Sequence, residues 1–186
     1  MGKFTKLRSD TFDTLQLDAG VLLHNFDPAS AAEPADEDIV CATTGGITIS
    51  CVPTYSDMGA DVDNAPANTM ELKKLDGWAC KVAFNALDTS LEMLKLALGA
   101  ADIEDGKVVP RRDLKPSDFS KKWWVGDKAN GGMVAVAIMN ALSTSGLSLK
   151  SSKNGKGQLT VELTGHVSLE DQDVMPMEFW STDGEA

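Results

Sequence analysis

The chain has 186 residues, of which 42% are hydrophobic and 24% charged, and its formal net charge is −11. A chain of this length can bury about 70% of its unfolded surface as one domain, so its core requires no metal or disulfide. The acidic balance argues against binding nucleic acid by neutralising phosphates, which needs a basic surface.

The charges are distributed unevenly along the chain. No Lys or Arg occurs between Ser9 and Leu72, where twelve acids lie, and the seven acids after Lys156 also have no basic neighbour. Between Lys107 and Lys128, seven basic residues outnumber three acids. Opposed acidic and basic faces are complementary in copies of one molecule, which favours head-to-tail association. A solvated acidic surface with an incidental basic patch is the alternative interpretation.

The cysteines Cys41, Cys51 and Cys80 form no CxxC motif, and no apolar segment follows the basic residues near residue 1. We therefore expect free, mostly buried thiols in a reducing cytoplasm and no signal peptide. No run approaches the ~20 apolar residues of a membrane helix, so we expect no association with membranes.

The first half of the chain predicts an N-terminal arm and three strands. The arm is residues 1–10, and the strands lie within 14–26, 47–52 and 78–85, with a loop over 27–39. Alternation of apolar residues is what a half-buried antiparallel strand requires. The face predicted to be buried in the third strand consists of Trp78, Cys80, Val82 and Phe84.

One helix is predicted after the third strand. Thr89 and Glu92 have the spacing of a capping box, and Gly99 is placed to end the helix. The apolar stripe expected on its buried face consists of Leu91, Leu94 and Leu98.

The second half again predicts strands. Residues 131–142 contain alternating valines behind a Gly pair and are predicted as a strand. Asn154–Gly155 indicates a hairpin, residues 173–180 a last strand, and residues 181–186 a C-terminal tail. With about eight strands and one helix, the expected fold class is mainly β: one domain over 1–186, an antiparallel sandwich or barrel with one flanking α-helix.

A long acidic loop without Lys or Arg follows the second predicted strand. Its polar side chains are those of Asp57, Asp61, Asp63, Asn64 and Asn68. A calcium-binding EF-hand loop that began at Asp61 would match only there and at Asp63. Pro66 stands where Gly is needed and Leu72 where a bidentate Glu is needed, so only a nonstandard calcium site remains open.

No catalytic or cofactor motif is present. His24 and His166 share no ligand spacing with the cysteines, and neither a GxSxG motif nor a phosphate-binding Gly loop occurs. Trp123–Trp124 beside Lys121–Lys122 has the composition of a single-strand nucleic-acid site, although packing in the core or in a subunit contact fits an acidic protein better. We expect no enzymatic activity, no metal and no cofactor.

Four stretches of the chain resemble one family. They are residues 42–78, "ATTGGITISCVPTYSDMGADVDNAPANTMELKKLDGW"; 123–127, "WWVGD"; 140–149, "NALSTSGLSL"; and 163–179, "LTGHVSLEDQDVMPMEF". Together they are similar to major tail tube proteins of siphovirus-type bacteriophages, whose long tails are noncontractile, from Gram-positive hosts. The likeness runs in order from about Leu15 to Phe179, without the C-terminal immunoglobulin-like domain that some members carry.

The resemblance implies a β-sandwich of the phage tail tube fold, which is related to type VI secretion tube proteins. In that family six copies form a ring around a continuous inner barrel, rings stack into a tube, and DNA leaves the capsid through the bore. The implied partners are copies of the chain itself, the tape measure, tail terminator and distal tail proteins, and DNA that passes without specific binding. The implied location is the virion, after synthesis and assembly in the host cytoplasm.

The resemblance also implies that the long loop, here residues 55–74, contacts the next ring. The expected inter-ring contact residues are Asp57, Asp61, Asp63, Asn64, Pro66 and Asn68. Their possible basic partners are Arg111, Arg112, Lys121 and Lys122. A barrel closed across subunits leaves no exposed sheet edge, and an acidic bore would repel DNA and let it slide.

Two further classes of protein stay open at this point. The first is a monomeric, calcium-dependent carbohydrate- or ligand-binding β-sandwich module, which would use the tryptophan pair and the aspartates of the loop. The second and nearer class is the tube protein of a contractile tail or of a type VI secretion system. A small hydrolase has no assembled catalytic set in this sequence.

Overall fold

Alternating apolar residues lead to an antiparallel β architecture in the computed structural model, which describes residues 4–184. Within that range there are ten strands, one α-helix and three short 3-10 helices. The strands are β1 (Val21–Leu23), β2 (Thr43–Asp57), β3 (Lys73–Ala86), β4 (Ala101–Glu104), β5 (Lys107–Pro110), β6 (Ser120–Asp127), β7 (Met133–Ser143), β8 (Ser148–Lys150), β9 (Gln158–Thr164) and β10 (Met177–Ser181). Helix α1 is Leu91–Leu98, and the 3-10 helices are Asp36–Asp38, Met70–Leu72 and Pro116–Asp118.

Strand β7 joins two antiparallel layers. Most of its length pairs with β6 and β10, and β6 in turn pairs with β1. Its last two residues, Leu142 and Ser143, pair instead with β9, which lies between β3 and β8, and β2 forms the outer edge of this second layer. The inward side chains of both layers form one core cluster, and β4 and β5 form a separate hairpin. The predicted mainly β, antiparallel fold with one α-helix is confirmed.

The predicted inward faces of β3 and β9 are confirmed except at one end. The buried residues are Cys80, Val82 and Phe84 of β3 and Leu159, Val161 and Leu163 of β9. Trp78, which alternation places on the same face, is 41% exposed. The reason is that β3 pairs with β9 only from Lys81 onward, so the strand has already left the sandwich at Trp78.

The N-cap of α1 is Ser90, so the predicted capping box with Thr89 is wrong. The Ser90 hydroxyl accepts a hydrogen bond from the Met93 amide at 3.3 Å, and the Asp88 carboxylate accepts one from the Ser90 amide at 2.9 Å. Gly99 ends the helix as predicted, with a φ of 73° that favours glycine.

The buried face of α1 also differs from the predicted leucine stripe, because it is centred on other residues. Met93 and Ala97 are buried, whereas Leu91 is exposed and Leu94 and Leu98 are half-buried. The Ser143 hydroxyl of β7 donates to the Ala97 carbonyl at 2.7 Å, and this bond turns that face of the helix toward the sandwich.

The strand predicted within residues 14–26 is confirmed only over β1. Leu15 and Leu17 are exposed, because the backbone turns through a left-handed conformation at Gly20, with a φ of 68°. A side chain at Gly20 would lie 2.5 Å from the Val125 carbonyl, so this approach to β6 requires glycine.

The two predicted terminal segments differ in structure. Residues 4–10 of the N-terminal arm form neither helix nor strand, and residues 1–3 lie outside the described range. The predicted tail 181–186 is wrong for its first part, since Ser181 belongs to β10. Buried Lys128 donates to the Thr182 carbonyl at 2.8 Å and to the Asp183 carboxylate at 3.1 Å, which fixes the chain there. Residues 185–186 lie outside the described range.

The expectation of three free thiols is wrong for two of the cysteines. Cys51 and Cys80 stand directly opposite each other on β2 and β3 and form a disulfide, whose partners are 29 residues apart in the sequence. Cys41 is free and buried, and burial raises its pKa to about 11, with the Asp88 carboxylate adding to the effect. Register alone brings the disulfide partners together, and no spacing motif signals it.

Replacing Leu163 by Ala tests the assignment of the shared core. Leu163 is 1% exposed, so the substitution is expected to lower the free energy of unfolding by about 2–4 kcal/mol. The control is Leu149→Ala on β8, where the leucine is 51% exposed and the expected change is within about 0.5 kcal/mol. Urea unfolding measures both variants, and equal losses would contradict the placement of the core.

Candidate functional site

The hairpin of β2 and β3 extends beyond the sandwich. The two strands pair from Thr43–Ala86 to Asp57–Lys73, whereas β9 covers β3 only over residues 81–86. Past the Cys51–Cys80 pair the structure is therefore a two-stranded ribbon, and we call residues 52–79 the outer hairpin. An isolated two-stranded ribbon is marginally stable in water at best.

The loop predicted over residues 55–74 is shorter than expected. Tyr55 pairs with Leu75 and Asp57 with Lys73, so both ends of the predicted segment are strand. The connection is residues 58–72, which end in a 3-10 turn, and the Met58 amide donates to the Leu72 carbonyl at 2.9 Å. The feature expected to contact another ring is therefore the tip of a β-hairpin.

Asp57 forms hydrogen bonds within the outer hairpin. Its carboxylate accepts hydrogen bonds from the Gly59 amide at 3.0 Å and from the Lys73 ammonium at 3.2 Å. These two bonds, the amide first, hold the pKa of Asp57 below its usual value of 3.8. The first of the predicted contact residues thus closes the base of the tip.

The other predicted contact residues divide into free carboxylates and turn formers. Asp61 and Asp63 are exposed, and no residue of 4–184 forms a hydrogen bond or ion pair with either one. Asn64 and Asn68 have φ values of 65° and 62°, a left-handed conformation that Asn tolerates better than most residues. The Pro66 carbonyl accepts a hydrogen bond from the Thr69 hydroxyl at 2.7 Å. The Asn and Pro residues therefore shape the tip, and the two aspartates remain available.

The aspartates of the tip do not converge on one point. Over residues 4–184, no group of three or more His, Cys, Asp or Glu is arranged to hold a metal ion.

The four predicted basic partners do not form one surface. The Arg111 guanidinium lies 2.9 Å from the Asp102 carboxylate and also contacts Asp118, whose side chain is buried. Hydrogen bonding to Lys115, with Arg111 and Lys115 nearby, lowers the pKa of Asp102. Arg111 is consequently paired within its own chain, where it links the β4–β5 hairpin to the third 3-10 helix.

Neighbouring lysines on β6 have opposite environments. Lys122 is buried, whereas Lys121 is exposed and its ammonium lies 4.3 Å from the centroid of the Trp123 ring, a cation–π distance. Arg112 is exposed as well. Only Arg112 and Lys121 of the predicted set are therefore presented to solvent.

The tryptophan pair packs within the protein, as the interpretation of core packing predicts. Trp124 is buried between the layers, and its indole donates to the Ala19 carbonyl at 2.9 Å. Trp123 is buried on the opposite face of β6, with its ring centroid 5.0 Å from that of Trp180 and 5.8 Å from that of Phe26. Neither ring offers an exposed platform for a base or a sugar.

An apolar surface on the outer hairpin was missed by the sequence interpretation. Tyr55 is 59% exposed, and it is directly opposite exposed Leu75. At the base of the ribbon, Trp78 and the 60% exposed Phe179 line a cavity of about 370 Å³ beside the disulfide. The other exposed apolar residues of the outer hairpin are Val52, Met58, Val62 and Met70. Exposed apolar side chains that lie together, as Tyr55 and Leu75 do, are a common feature of interaction surfaces.

Tyr55 and Leu75 lie at the two ends of the segment predicted as loop, where β2 and β3 in fact continue. The loop assignment hides that these two side chains stand opposite each other, and the local sequence does not show that no third strand covers them.

Comparison with known proteins gives no relative: no protein-family model matches the chain, and no curated protein matches it. Among residues 4–184, every helix is too short or too polar to cross a bilayer.

Replacing Asp57 by Ala tests the closure of the tip. Losing the acceptor for Gly59 and Lys73 is expected to make the Met58 and Gly59 amides exchange hydrogen several-fold faster at neutral pH. The folded pKa is below the unfolded value of 3.8, so this stabilisation is complete above that pH and is lost as pH falls through the lowered value. Hydrogen exchange followed by NMR measures it. Asp61→Ala is the matched control, and an equal acceleration there would refute the assignment.

Proposed function

We propose that this chain is the structural subunit of a tail tube, as in siphovirus-type bacteriophages. Copies assemble into hexameric rings, and the rings stack into a tube that conducts DNA during ejection. The proposal rests on the resemblance of four ordered sequence stretches and on the antiparallel β fold. One observation carries it further than the others, namely the outer hairpin with its exposed apolar side chains.

In a monomer the outer hairpin leaves apolar side chains and one edge of β3 uncovered. Tyr55 and Leu75 expose apolar surface on a ribbon in which, within residues 4–184, β2 is the one strand that pairs with residues 73–80 of β3. A second copy that packed against the ribbon would bury these groups, each worth about 1.5–3 kcal/mol when fully removed from water. A small ligand would leave most of the ribbon exposed, so the geometry favours a macromolecular partner. Within the proposal that partner is a second copy of the chain.

The free carboxylates of the tip favour a contact in which different surfaces of two copies meet. Asp61 and Asp63 lie at the far end of the ribbon and have no partner in their own subunit among residues 4–184. The exposed cations Arg112 and Lys121 lie elsewhere on the chain, so a tip-to-body contact between copies is heterologous. Heterologous contacts that close produce rings, and those that do not close produce filaments; a stacked tube uses both kinds.

The net charge suits a conduit for DNA. At −11 per subunit, a ring of copies repels the phosphate backbone wherever its acids face the bore. Within the proposal, DNA therefore passes without specific binding, and the lasting partners are neighbouring subunits and the tape measure, terminator and distal proteins of the tail.

Imaging of the purified protein at rising concentration tests the proposal. Annular particles that stack into tubes are the expected result, observed by negative-stain electron microscopy together with sedimentation. A monomer that stays monodisperse at every concentration, and that gives a calcium-dependent heat with glycans in calorimetry, would overturn it in favour of the ligand-binding module.

Replacing Leu75 by Asp is expected to raise the concentration required for assembly by about tenfold or more. The variant loses buried apolar area and places a charge in the contact, and each 1.4 kcal/mol corresponds to about tenfold. Leu114→Asp is the matched control, because Leu114 is also exposed but lies outside the hairpin. Sedimentation measures both, and circular dichroism checks that they fold. Equal behaviour of the two variants would refute a contact through the ribbon.

The double variant Asp61→Lys with Asp63→Lys is expected to weaken stacking of rings while the monomer stays folded. Asp171→Lys with Asp173→Lys is its control, since that exposed pair has the same spacing and produces the same change of net charge. Tube length measured by electron microscopy distinguishes them. Normal tubes from the first variant would show that the tip is not an electrostatic contact.

A further inference from the structure

Lys122 is a buried cation without a counterion. It lies on β6 opposite Ile138, is 6% exposed, and follows the irregularity in pairing that separates it from Ser120. None of the hydrogen bonds or ion pairs within residues 4–184 involves its ammonium, and the nitrogen itself is not fully enclosed, so it faces the solvent of a cavity. Desolvation lowers its pKa, with no compensating carboxylate. The stem of Lys122 is buried and its charged end is partly desolvated and unpaired, an arrangement in which an anion entering the cavity gains a charge-assisted hydrogen bond.

The side chain of Lys122 lines a cavity of about 180 Å³ between α1 and the first layer of the sandwich. Ser117 and Ser120 also line this cavity, and His24 stands at its solvent-exposed mouth. The two serines offer hydroxyl donors to the same cavity. The cavity is large enough for a small polar group and too small for an extended ligand.

The acids that line the cavity do not neutralise Lys122. Asp118 accepts from the Lys115 amide at 2.8 Å and contacts Arg111, so its carboxylate is already satisfied. Glu92 is exposed on α1 and forms no ion pair with Lys122. Lys95 also lines the cavity, so two lysines and two carboxylates surround it, and this balanced lining suits a ligand with one negative charge better than a dianion.

The positive charge of Lys122 acts on His24, which also lines the cavity. The pKa of His24 is lowered first by partial desolvation and then by the Lys122 ammonium, while Asp38 and Glu92 act in the opposite direction. His24 and Lys122 are thus close enough to interact, and an anion bound between them would remove that repulsion.

We propose that this cavity is a carboxylate-binding site, in which the Lys122 ammonium and the hydroxyls of Ser117 and Ser120 hold a single carboxylate group. The carboxylate comes either from a small free acid or from an Asp side chain of a second copy. The site does not depend on the proposed tube function, since its evidence is confined to one subunit.

Titration with sodium acetate tests the site. Ionic strength is held constant with chloride, and backbone amide signals of His24, Ser120 and Lys122 are followed by NMR at a protein concentration where only monomer is present. Saturable shifts are expected in the wild-type protein and in Lys121→Met, whose altered lysine lies on the exposed face. Lys122→Met is expected to bind about tenfold more weakly or worse, because a charge-assisted hydrogen bond is lost.

Two measurements separate binding from folding. Lys122→Met is expected to have a urea midpoint equal to or above that of the wild type, because it removes an unpaired, partly desolvated charge and nearly conserves volume. Ser120→Ala keeps the charge and is expected to weaken acetate binding by a smaller factor. Shifts that do not saturate in the wild type, or that survive unchanged in Lys122→Met, overturn the site.

A peptide of residues 57–70 identifies the source of the carboxylate. A dissociation constant at least about tenfold below that of acetate, lost when Asp61 and Asp63 are replaced by Asn, assigns the carboxylate to a second copy. A peptide that binds no better than acetate assigns it to a small free acid. Failure of both ligands overturns the site and leaves the tube proposal, which is tested by imaging, unaffected.

Discussion

Unequal pairing of strand β3 is the constraint on which the rest of the structure depends. One of its edges meets β2 over almost its whole length, and the other meets β9 over residues 81–86 only. Where both edges are paired, the inward side chains are buried and the core is continuous. Where only one edge is paired, Trp78 of the same face is exposed, and so is Leu75, which the irregularity in pairing at Asp76 brings opposite Tyr55. The division between sandwich and outer hairpin follows from this one difference in length.

Local patterns in the sequence predict those strands whose core segments pair with a neighbouring strand at both edges. Alternation identified β3, β7 and β9, and the Asn154–Gly155 turn identified the β8–β9 hairpin. The errors lie where neighbouring residues offer the same chemistry. Thr89 and Ser90 can both cap a helix, and only the backbone geometry selects Ser90. Pairing of cysteines 29 residues apart requires knowing the register of two strands, which periodicity does not specify.

The acidic segment of the candidate site is visible in the sequence, its hairpin geometry is not, and its role as a contact stays a prediction. Charge is visible in a sequence, so the acidic segment can be located from sequence alone, and Asp61 and Asp63 are exposed at the hairpin tip. Whether a Tyr or a Leu is buried depends on how many strands flank it, and that information is absent from local sequence. The same reason accounts for the basic set, in which adjacent Lys121 and Lys122 face opposite ways on one strand.

The disulfide lies at the boundary between the two parts of the β2–β3 hairpin, and this position affects how the protein can open. Fraying that starts at the tip separates Asp57 from Lys73 first and then moves toward Cys51 and Cys80. The covalent link stops it there, before the strand segment that contributes to the core. Subglobal opening of the ribbon and global unfolding of the sandwich are therefore separate events, so the ribbon can rearrange while the rest of the fold persists.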